Sequence, residues 1–287
     1  MVDYSSPRVV IRPALPRDKA DVAEFTKAIW EGNDYVGRVF PDWLNDPEGI
    51  LLVAEYAGRA VGTGKVSRAA RGQWWLEGLR VDPKFQGLGI GSRVDEATNA
   101  WWDVHGDGVL RLLTHSTRVK VHHLSEQRGF QRVGEVIWFE ATPVEASAPP
   151  FVAVTPAETD SAWSLCADLA PNAWTNVGWR STRLDEESFR AAIAGGEVWW
   201  WSGRSGVVWA WEDVEERRAV LMSGFEACTG GERVRLLEDF RQLAAARRAE
   251  VAVWMNVVDE NLRRDLDAAG YEMGEGDPLW LLERFHD

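Results

Sequence analysis

The stretch Gly78-Leu-Arg-Val-Asp-Pro-Lys-Phe-Gln-Gly-Leu-Gly-Ile-Gly-Ser92 joins an apolar segment to an amphipathic one through a glycine-rich turn. Gly87, Gly89 and Gly91 stand at every second position, so the main chain can approach a ligand there without interference from Cβ atoms. A helix that begins at the end of this turn directs backbone N–H groups and its positive dipole end at the same place. The stretch therefore predicts a phosphate site, with a diphosphate as its natural guest.

Two common phosphate-binding motifs fit this stretch less well. The dinucleotide fingerprint requires Gly-x-Gly-x-x-Gly directly after a strand, whereas Asp82-Pro83 intervenes here. No Lys-Ser/Thr pair follows the glycines, because Gly91 is succeeded by Ser92-Arg93, which disfavours a nucleotide triphosphatase. A nicotinamide-dependent oxidoreductase would rest on the glycines alone and is the weakest of the alternatives.

Read with its flanks, the stretch resembles motif A of the GNAT superfamily of N-acetyltransferases. That motif is Arg/Gln-x-x-Gly-x-Gly/Ala after a strand that ends in Val-x-Pro, and Gln86, Gly89 and Gly91 match it. The resemblance implies an enzyme that uses acetyl-CoA as its donor. It also implies a fold in which the strand before the turn separates from the strand that follows it.

The totals describe a protein able to bury a full core. The chain has 287 residues, of which 45% are hydrophobic and 27% charged, so two domains are the better expectation. No apolar run reaches the roughly 18 residues of a membrane helix, and the first residues lack the pattern of a secretory signal. Only Cys166 and Cys228 occur, which offers neither a disulfide framework nor a metal site. We expect a cytoplasmic protein without a membrane partner.

The net charge of −13 argues against a nucleic-acid partner, since phosphate contacts need a basic face. Residues 1–150 hold 18 Lys and Arg against 20 Asp and Glu, so the acidic load lies in the second half. A multiply anionic cofactor is better tolerated by the first half, where Arg80, Lys84 and Arg93 flank the glycines. These cations can equally be ordinary solvated surface charges.

Residues 141–150 are small, polar and proline-bearing, and read as a linker between two domains. The pattern on both sides predicts an α/β (α+β) fold with a mixed sheet, in two tandem domains at 1–144 and 150–287. In the first domain we expect these elements: strands at 9–12, 50–56, 60–69, 73–81, 109–114 and 130–140, and helices at 18–30, 35–44, 89–104 and 117–127.

A similar order recurs after the linker, where Val152-Ala-Val-Thr-Pro-Ala157 echoes Val10-Ile-Arg-Pro-Ala14. Both halves resemble the acetyltransferase fold, which makes a duplication the simplest account. The second half replaces the glycine turn by the shorter Glu226-Ala-Cys-Thr-Gly-Gly231, without the Gln-x-x-Gly-x-Gly order. We therefore expect a degenerate second domain that binds no cofactor there.

The resemblance also implies which residues bind and react. Pantetheine would pair with backbone near Leu79 and Val81, and the diphosphate would meet N–H groups of the glycine turn. The family has an asparagine near the start of the helix predicted here at 117–127. Arg118 holds that position in this chain and could contact a cofactor phosphate instead. The predicted cofactor-binding residues are Leu79, Arg80, Val81, Gln86, Gly87, Leu88, Gly89, Ile90, Gly91, Ser92 and Arg118.

Three residues are predicted for catalysis. The family commonly places a glutamate on the strand before the loop as general base, which here is Glu77, four residues before Val81 and so expected on the same face. The usual acid is a tyrosine, and its position is held by Ser125, so His122 or His123 could substitute. Each has a structural alternative: Glu77 in a surface salt bridge, and the histidines in packing.

Substrate contacts in this family come mainly from the first two helices and their connection. By that resemblance Trp30 and Tyr35 would line a pocket for a small primary amine, such as an amino acid or amine metabolite, and Asp34 or Glu31 would hold its cation. Arg71 or Arg80 could meet a substrate carboxylate. The alternative is that Asp34 caps the next helix. A second function class remains open, a non-catalytic acyl-CoA sensor or interaction module. Either a monomer or a homodimer is compatible with the sequence.

Overall fold

The computed structural model describes residues 8–29, 32, 34–215 and 218–286. The chain divides into two compact units. The first unit comprises Met1–Leu112, Lys120–Gln131 and Glu283–Asp287, and the second comprises Leu113–Val119 and Arg132–Leu282. None of the helices in the described ranges is long and apolar enough to cross a membrane.

The first unit is a sheet of five strands with helices on both faces. Its elements are β1 (Val10–Pro13), α1 (Lys19–Thr26), α2 (Val36–Leu44), β2 (Ile50–Tyr56), β3 (Arg59–Ala70), β4 (Gln73–Val81), α3 (Ile90–His105), β5 (Val109–His115) and α4 (Val119–Gln127). The strands lie in the order β1-β2-β3-β4-β5. The first three pairings are antiparallel and β4–β5 is parallel, so the predicted mixed sheet is confirmed.

Two apolar clusters cover this sheet. On one face α1 and α2 bury Phe25, Phe40 and Trp43 against β2. On the other face α3 buries Ile90 and Val94 against β2 and β3. Adjacent strand residues point to opposite faces, so the burial of Trp74 and Trp75 together shows that β4 is covered on both sides.

The second unit repeats this order of strands. Its elements are β6 (Gln131–Ala141), β7 (Phe151–Ala153), α5 (Thr159–Leu169), β8 (Trp174–Val177), β9 (Arg180–Arg183), α6 (Glu186–Gly195), β10 (Val198–Trp201), β11 (Gly206–Glu215), β12 (Arg218–Cys228), α7 (Arg233–Ala246), β13 (Val251–Val257), α8 (Glu260–Ala268), β14 (Glu272–Met273) and β15 (Leu279–Phe285). The order β7-β10-β11-β12-β13 has three antiparallel pairings and then a parallel one, as in the first unit. The predicted duplication is therefore visible in the topology.

The compact units are not contiguous in sequence. Most of β6 lies before the predicted linker yet belongs to the second unit, where it pairs antiparallel with β13. Conversely, the last residues belong to the first unit, where Arg284 donates to Asp103 at 2.6 Å and its guanidinium lies 4.8 Å from the Trp102 ring centre. The predicted domains at 1–144 and 150–287 are continuous in sequence, whereas the compact units are not. Those domain limits therefore stay a prediction.

One part of the second unit was not predicted. The short hairpin of β8 and β9 turns at Gly178 and Trp179, both with positive φ. It packs on β12 and β13, so that an added Cβ on Gly224 would lie 1.8 Å from the Asn176 carbonyl oxygen.

Candidate active site

The glycine turn after β4 is built from local capping. Asp82 accepts a hydrogen bond from Lys84 N at 2.9 Å and begins a short 3-10 turn over Pro83–Phe85. The chain then passes through Gly87 at φ +82° and Gly89 at φ +73°, which is the N-cap of α3. Both glycines are in the left-handed region that side chains disfavour, so their identity is required by the backbone path.

One side of the glycine turn packs on the sheet, and the space beside Gly87 and Gly89 is open. Buried Ile90 ties the start of α3 to the sheet, and Phe85 packs on Tyr56 with ring centres 5.3 Å apart. A Cβ built on Gly87 or Gly89 would meet no atom within 4 Å. Among the described residues no side chain caps Gly89, and the first turn of the 16-residue α3 holds no carboxylate. Residues 86–92, the glycine turn with the start of α3, form a cradle that fits an anionic diphosphate.

Leu79, Arg80 and Val81 lie on the far part of β4. The parallel register with β5 joins Gln73–Trp75 to Val109–Arg111 and ends there, although β4 continues to Val81. On its other side β4 stays paired with β3. An edge of backbone beyond Trp75 is what pairing with a pantetheine chain requires, so the early end of the register agrees with the expected separation of the strands.

A β-bulge interrupts β4 at Gly78 and Leu79. Glu77 pairs with Lys65 and Arg80 pairs with Thr63, so three steps on β4 match two steps on β3. Cross-strand partners share a face, which places Glu77 on the face of Arg80. The expectation that Glu77 and Val81 share a face is therefore wrong, because the extra residue reverses the alternation.

Gly78 at the bulge permits a close approach from α2. It has φ +65°, and an added Cβ would lie 2.5 Å from the Trp43 ring. Thr63 Oγ1 donates to the Gly78 carbonyl at 2.8 Å and holds the bulge in place. A glycine inside a strand pattern is the signal for a bulge, and it was available in the sequence.

Glu77 is half-buried among polar partners. Ser67 donates its hydroxyl hydrogen to Glu77 Oε1 at 2.8 Å, and Ser67 itself is 3% exposed. The cross-strand partner Lys65 is fully buried and forms an ion pair with Asp46. Burial alone would raise the pKa of Asp46, but the hydrogen bond and charge of Lys65 hold it below its usual range.

Arg80 is turned toward the connection between α1 and α2. Its Nε donates to Asp34 Oδ2, and its guanidinium carbon lies 5.7 Å from the Tyr35 ring centre. Asp34 Oδ1 accepts from Val36 N at 2.9 Å, at the start of α2, and the carboxylate is fully buried. This placement favours the capping interpretation of Asp34 over contact with a substrate cation. Trp30 and Glu31 lie outside the described residues.

Tyr35 packs edge-on against Trp43, with ring centres 5.8 Å apart and an interplanar angle of 89°. Tyr35 thus lies on the same face of the sheet as Glu77 and Arg80. Arg71, by contrast, is exposed in the β3–β4 turn, six residues along the strand from Glu77. At about 3.3 Å per residue along a strand, Arg71 is too far from the Glu77 carboxylate to share a pocket with it.

Helix α4 presents two of the predicted residues on its buried face. His122 is 7% exposed and Ser125 is 3% exposed, whereas His123 is exposed and contacts Gln127 at 2.9 Å. One histidine of the pair is therefore directed inward, because adjacent residues of a helix lie on different faces. Arg118 is exposed and lies in the segment that clusters with the second unit, so its phosphate contact stays a prediction.

Comparison with known proteins finds matches for the first half of the chain. Residues 19–130 match the model of the acetyltransferase (GNAT) family. Over this range the chain is similar to GNAT acetyltransferase domains. A relative, aminoglycoside N(6')-acetyltransferase type 1 from Stenotrophomonas maltophilia, is 29% identical over 147 residues, covering 48% of this chain and 95% of its own length. Acetyl-CoA is the donor used by this family, so the predicted cofactor is confirmed at the family level.

Solved structures extend the likeness to the whole chain. A GCN5-related N-acetyltransferase from Sphaerobacter thermophilus superposes with a TM-score of 0.65 at 14% identity, covering 96% of this chain and 95% of that one. A tandem GNAT protein from the clavulanic acid biosynthesis pathway does so with a TM-score of 0.59 at 12% identity, covering 96% and 98%. At these identities the likeness shows the fold alone, and it confirms the predicted tandem GNAT fold.

Proposed function

We propose that the first unit transfers an acetyl group from acetyl-CoA to a primary amine of a small molecule. The observation that carries this proposal is the open glycine cradle at the start of α3. It lies directly after a strand that has lost its parallel partner and that bears a half-buried carboxylate. The family match over 19–130 supports the reaction type.

The chain's own groups would hold the donor along β4 and its turn. Backbone N–H groups of Gln86 to Ser92 bind the diphosphate, and the main chain of Leu79, Arg80 and Val81 pairs with pantetheine. Leu88, 64% exposed at the tip of the turn, gives an apolar contact. When bound, acetyl-CoA supplies the acetyl group as a thioester.

The acceptor amine would react on the face of β4 that carries Glu77. An ammonium must lose a proton before its nitrogen can attack, and Glu77 is placed to take that proton on its carboxylate, directly or through water. Ser125 and His122 are the buried groups of α4 that can hold the proton for the departing sulfur. Tyr35 and Trp43 form the aromatic wall on this side.

The relative's name supports a polyamine acceptor, because aminoglycosides are sugars that carry several primary amines. Free amino acids and simple amine metabolites remain candidates of the same class. Asp34 is the least supported of the proposed substrate contacts, since both of its oxygens are already engaged.

The test is the release of free thiol from acetyl-CoA with a panel of kanamycin, free amino acids and small diamines. We expect thiol release with at least one amine and an acetylated product of matching mass. A rise in melting temperature with acetyl-CoA and none with NAD would separate this reading from an oxidoreductase.

An acyl-CoA sensor is the second candidate, favoured by Ser125 where the family places a tyrosine. A sensor would show the acetyl-CoA shift in melting temperature but release no thiol with any amine of the panel. That outcome would replace the enzyme proposal by the sensor.

A further inference from the structure

The strand β3 places a row of polar side chains opposite Glu77. Thr63, Lys65 and Ser67 alternate with glycine and valine, and their side chains share the face of Glu77 and Trp75. Ser67 pairs directly with Trp75, so it is the diagonal neighbour of Glu77, a position from which side chains on one face still touch. The row is almost completely buried.

The bond between Ser67 and Glu77 has one possible direction when the carboxylate is ionised. A carboxylate can only accept, so the Ser67 hydroxyl donates to Oε1 across 2.8 Å. Hydrogen bonds to charged acceptors are stronger than neutral ones, and water is nearly excluded from this hydroxyl. The bond therefore restrains the position of the Oε1 atom of Glu77.

Two cations on this face have carboxylate partners besides Glu77 in their surroundings. Lys65 forms an ion pair with Asp46, and Arg80 forms one with Asp34. Ser67 adds a neutral hydroxyl donor to Glu77, beside the cross-strand neighbour Lys65.

We propose that Ser67 is a positioning residue that holds the Glu77 carboxylate in the orientation needed to take the proton of the acceptor amine. The inference rests on the proposed function, in which Glu77 is the general base. A base must lie within hydrogen-bond reach and at the correct angle, and small misplacements are costly in rate.

The experiment compares Ser67→Ala and Ser67→Thr, using acetyl-CoA and kanamycin or the best amine of the panel. We expect Ser67→Ala to lower kcat roughly ten- to hundredfold, the range of one hydrogen bond to a charged group. The KM for acetyl-CoA should stay within about twofold, because the cradle is untouched. Ser67→Thr keeps the hydroxyl and suits a strand, so it should restore most of kcat.

The second unit offers a matched control. Ser223 is a fully buried serine on a central strand, but its hydroxyl lies against the main-chain oxygens of Trp209 and Phe225. Ser223→Ala should cost stability similar to that of Ser67→Ala without the drop in kcat. The double variant Ser67→Ala/Glu77→Gln should be no slower than Glu77→Gln alone, because the two residues act through one group.

A readout independent of activity is the crystal structure of Ser67→Ala beside that of the wild type. We expect the Glu77 carboxylate to rotate away from the position it has beside Ser67. An unmoved carboxylate, or a folded Ser67→Ala enzyme with wild-type kcat, would overturn the inference while leaving the proposed function intact. If instead the wild type releases no thiol, or Glu77→Gln matches its rate, the proposed function or its base has failed, and the crystal comparison still decides whether Ser67 orients Glu77.

Discussion

Each unit has a glycine at the same place in its sheet, but different groups pack against the two glycines. Gly78 interrupts β4 and Gly224 interrupts β12, each next to the parallel strand. The ring of Trp43 lies against Gly78, whereas the main chain of Asn176 lies against Gly224. One bulge is covered by a side chain, and the other by a hairpin.

The parallel pairings differ in the same sense. In the first unit the register ends at Trp75, three residues before the bulge glycine, but in the second it reaches Ser223, immediately before Gly224. Beyond that point Asn256 donates from Nδ2 to the carbonyl oxygens of Gly224 and Trp174, at 2.6 and 2.8 Å. The gap that could hold pantetheine in one unit is bridged by a carboxamide in the other.

The turns that follow also differ in charge. The first is open and holds no carboxylate at the start of its helix, while the second brings Glu226 against Arg233, the first residue of α7, at 3.2 Å. Burial raises the pKa of Glu226 to about 8, and Arg233 opposes that rise. These differences in the turn and in what lies against the bulge support the proposal that the first unit, and not the second, binds acetyl-CoA.

The strongest test of this comparison is Gly89→Glu. A carboxylate at a left-handed position in the cradle adds strain and repels a diphosphate, so we expect acetyl-CoA affinity to fall by more than about a thousandfold. Isothermal titration with acetyl-CoA would measure this. The matched control is Gly230→Glu, which has φ +71° in the second turn and should leave the affinity unchanged. Equal losses in both variants would refute the assignment of the cradle to the first unit.

Glu77→Gln tests the chemistry of the same unit. Loss of a general base is expected to lower kcat roughly a hundred- to thousandfold while acetyl-CoA affinity changes little. Steady-state kinetics and titration on the same preparation separate the two. Unchanged turnover would exclude Glu77 as an essential base.

Substituting the two bulge glycines should distinguish how each is covered. Gly224→Ala would set a Cβ 1.8 Å from a backbone oxygen that cannot move alone, so we expect a loss of about 3 kcal/mol or more in the free energy of unfolding. Gly78→Ala meets a ring that can shift, and should cost about 1–3 kcal/mol. Urea unfolding measures both. A larger loss for Gly78→Ala would contradict the contrast between side chain and main chain.

The smallest expected effect concerns pH. Because the folded pKa of Glu226 lies near 8, above its usual 4.5, the native state keeps a proton that the unfolded chain releases between these values. Stability from this group is therefore present below about 4.5 and is lost as the pH rises toward 8. At pH 8 we expect Glu226→Gln to unfold at a higher urea concentration than the wild type, with a free energy of unfolding greater by about 1–3 kcal/mol. At pH 5 the two proteins should differ little in this free energy. A difference that is constant from pH 5 to 8 would contradict the buried acid.

Sequence reasoning located β2 and β4 at the limits that the structure has, because their apolar runs are bounded by turn residues. It also located the glycine turn, where backbone conformation alone demands glycine. It did not find the bulge at Gly78, which reversed the face of Val81 relative to Glu77. Nor did it single out Ser67, since a serine in an alternating strand carries no local mark of its partner.

The amino-acid order by itself determined the tandem α/β pattern and the glycine turn, because these depend on periodicity and on φ, which are local. Only the tertiary structure decided that Arg80 is engaged by Asp34 and that Ser67 holds Glu77. It likewise decided that the hairpin and Asn256 bridge the second unit where the first is open. These outcomes depend on contacts between residues distant in the chain, whose partners are set by register and packing and not by neighbours in sequence.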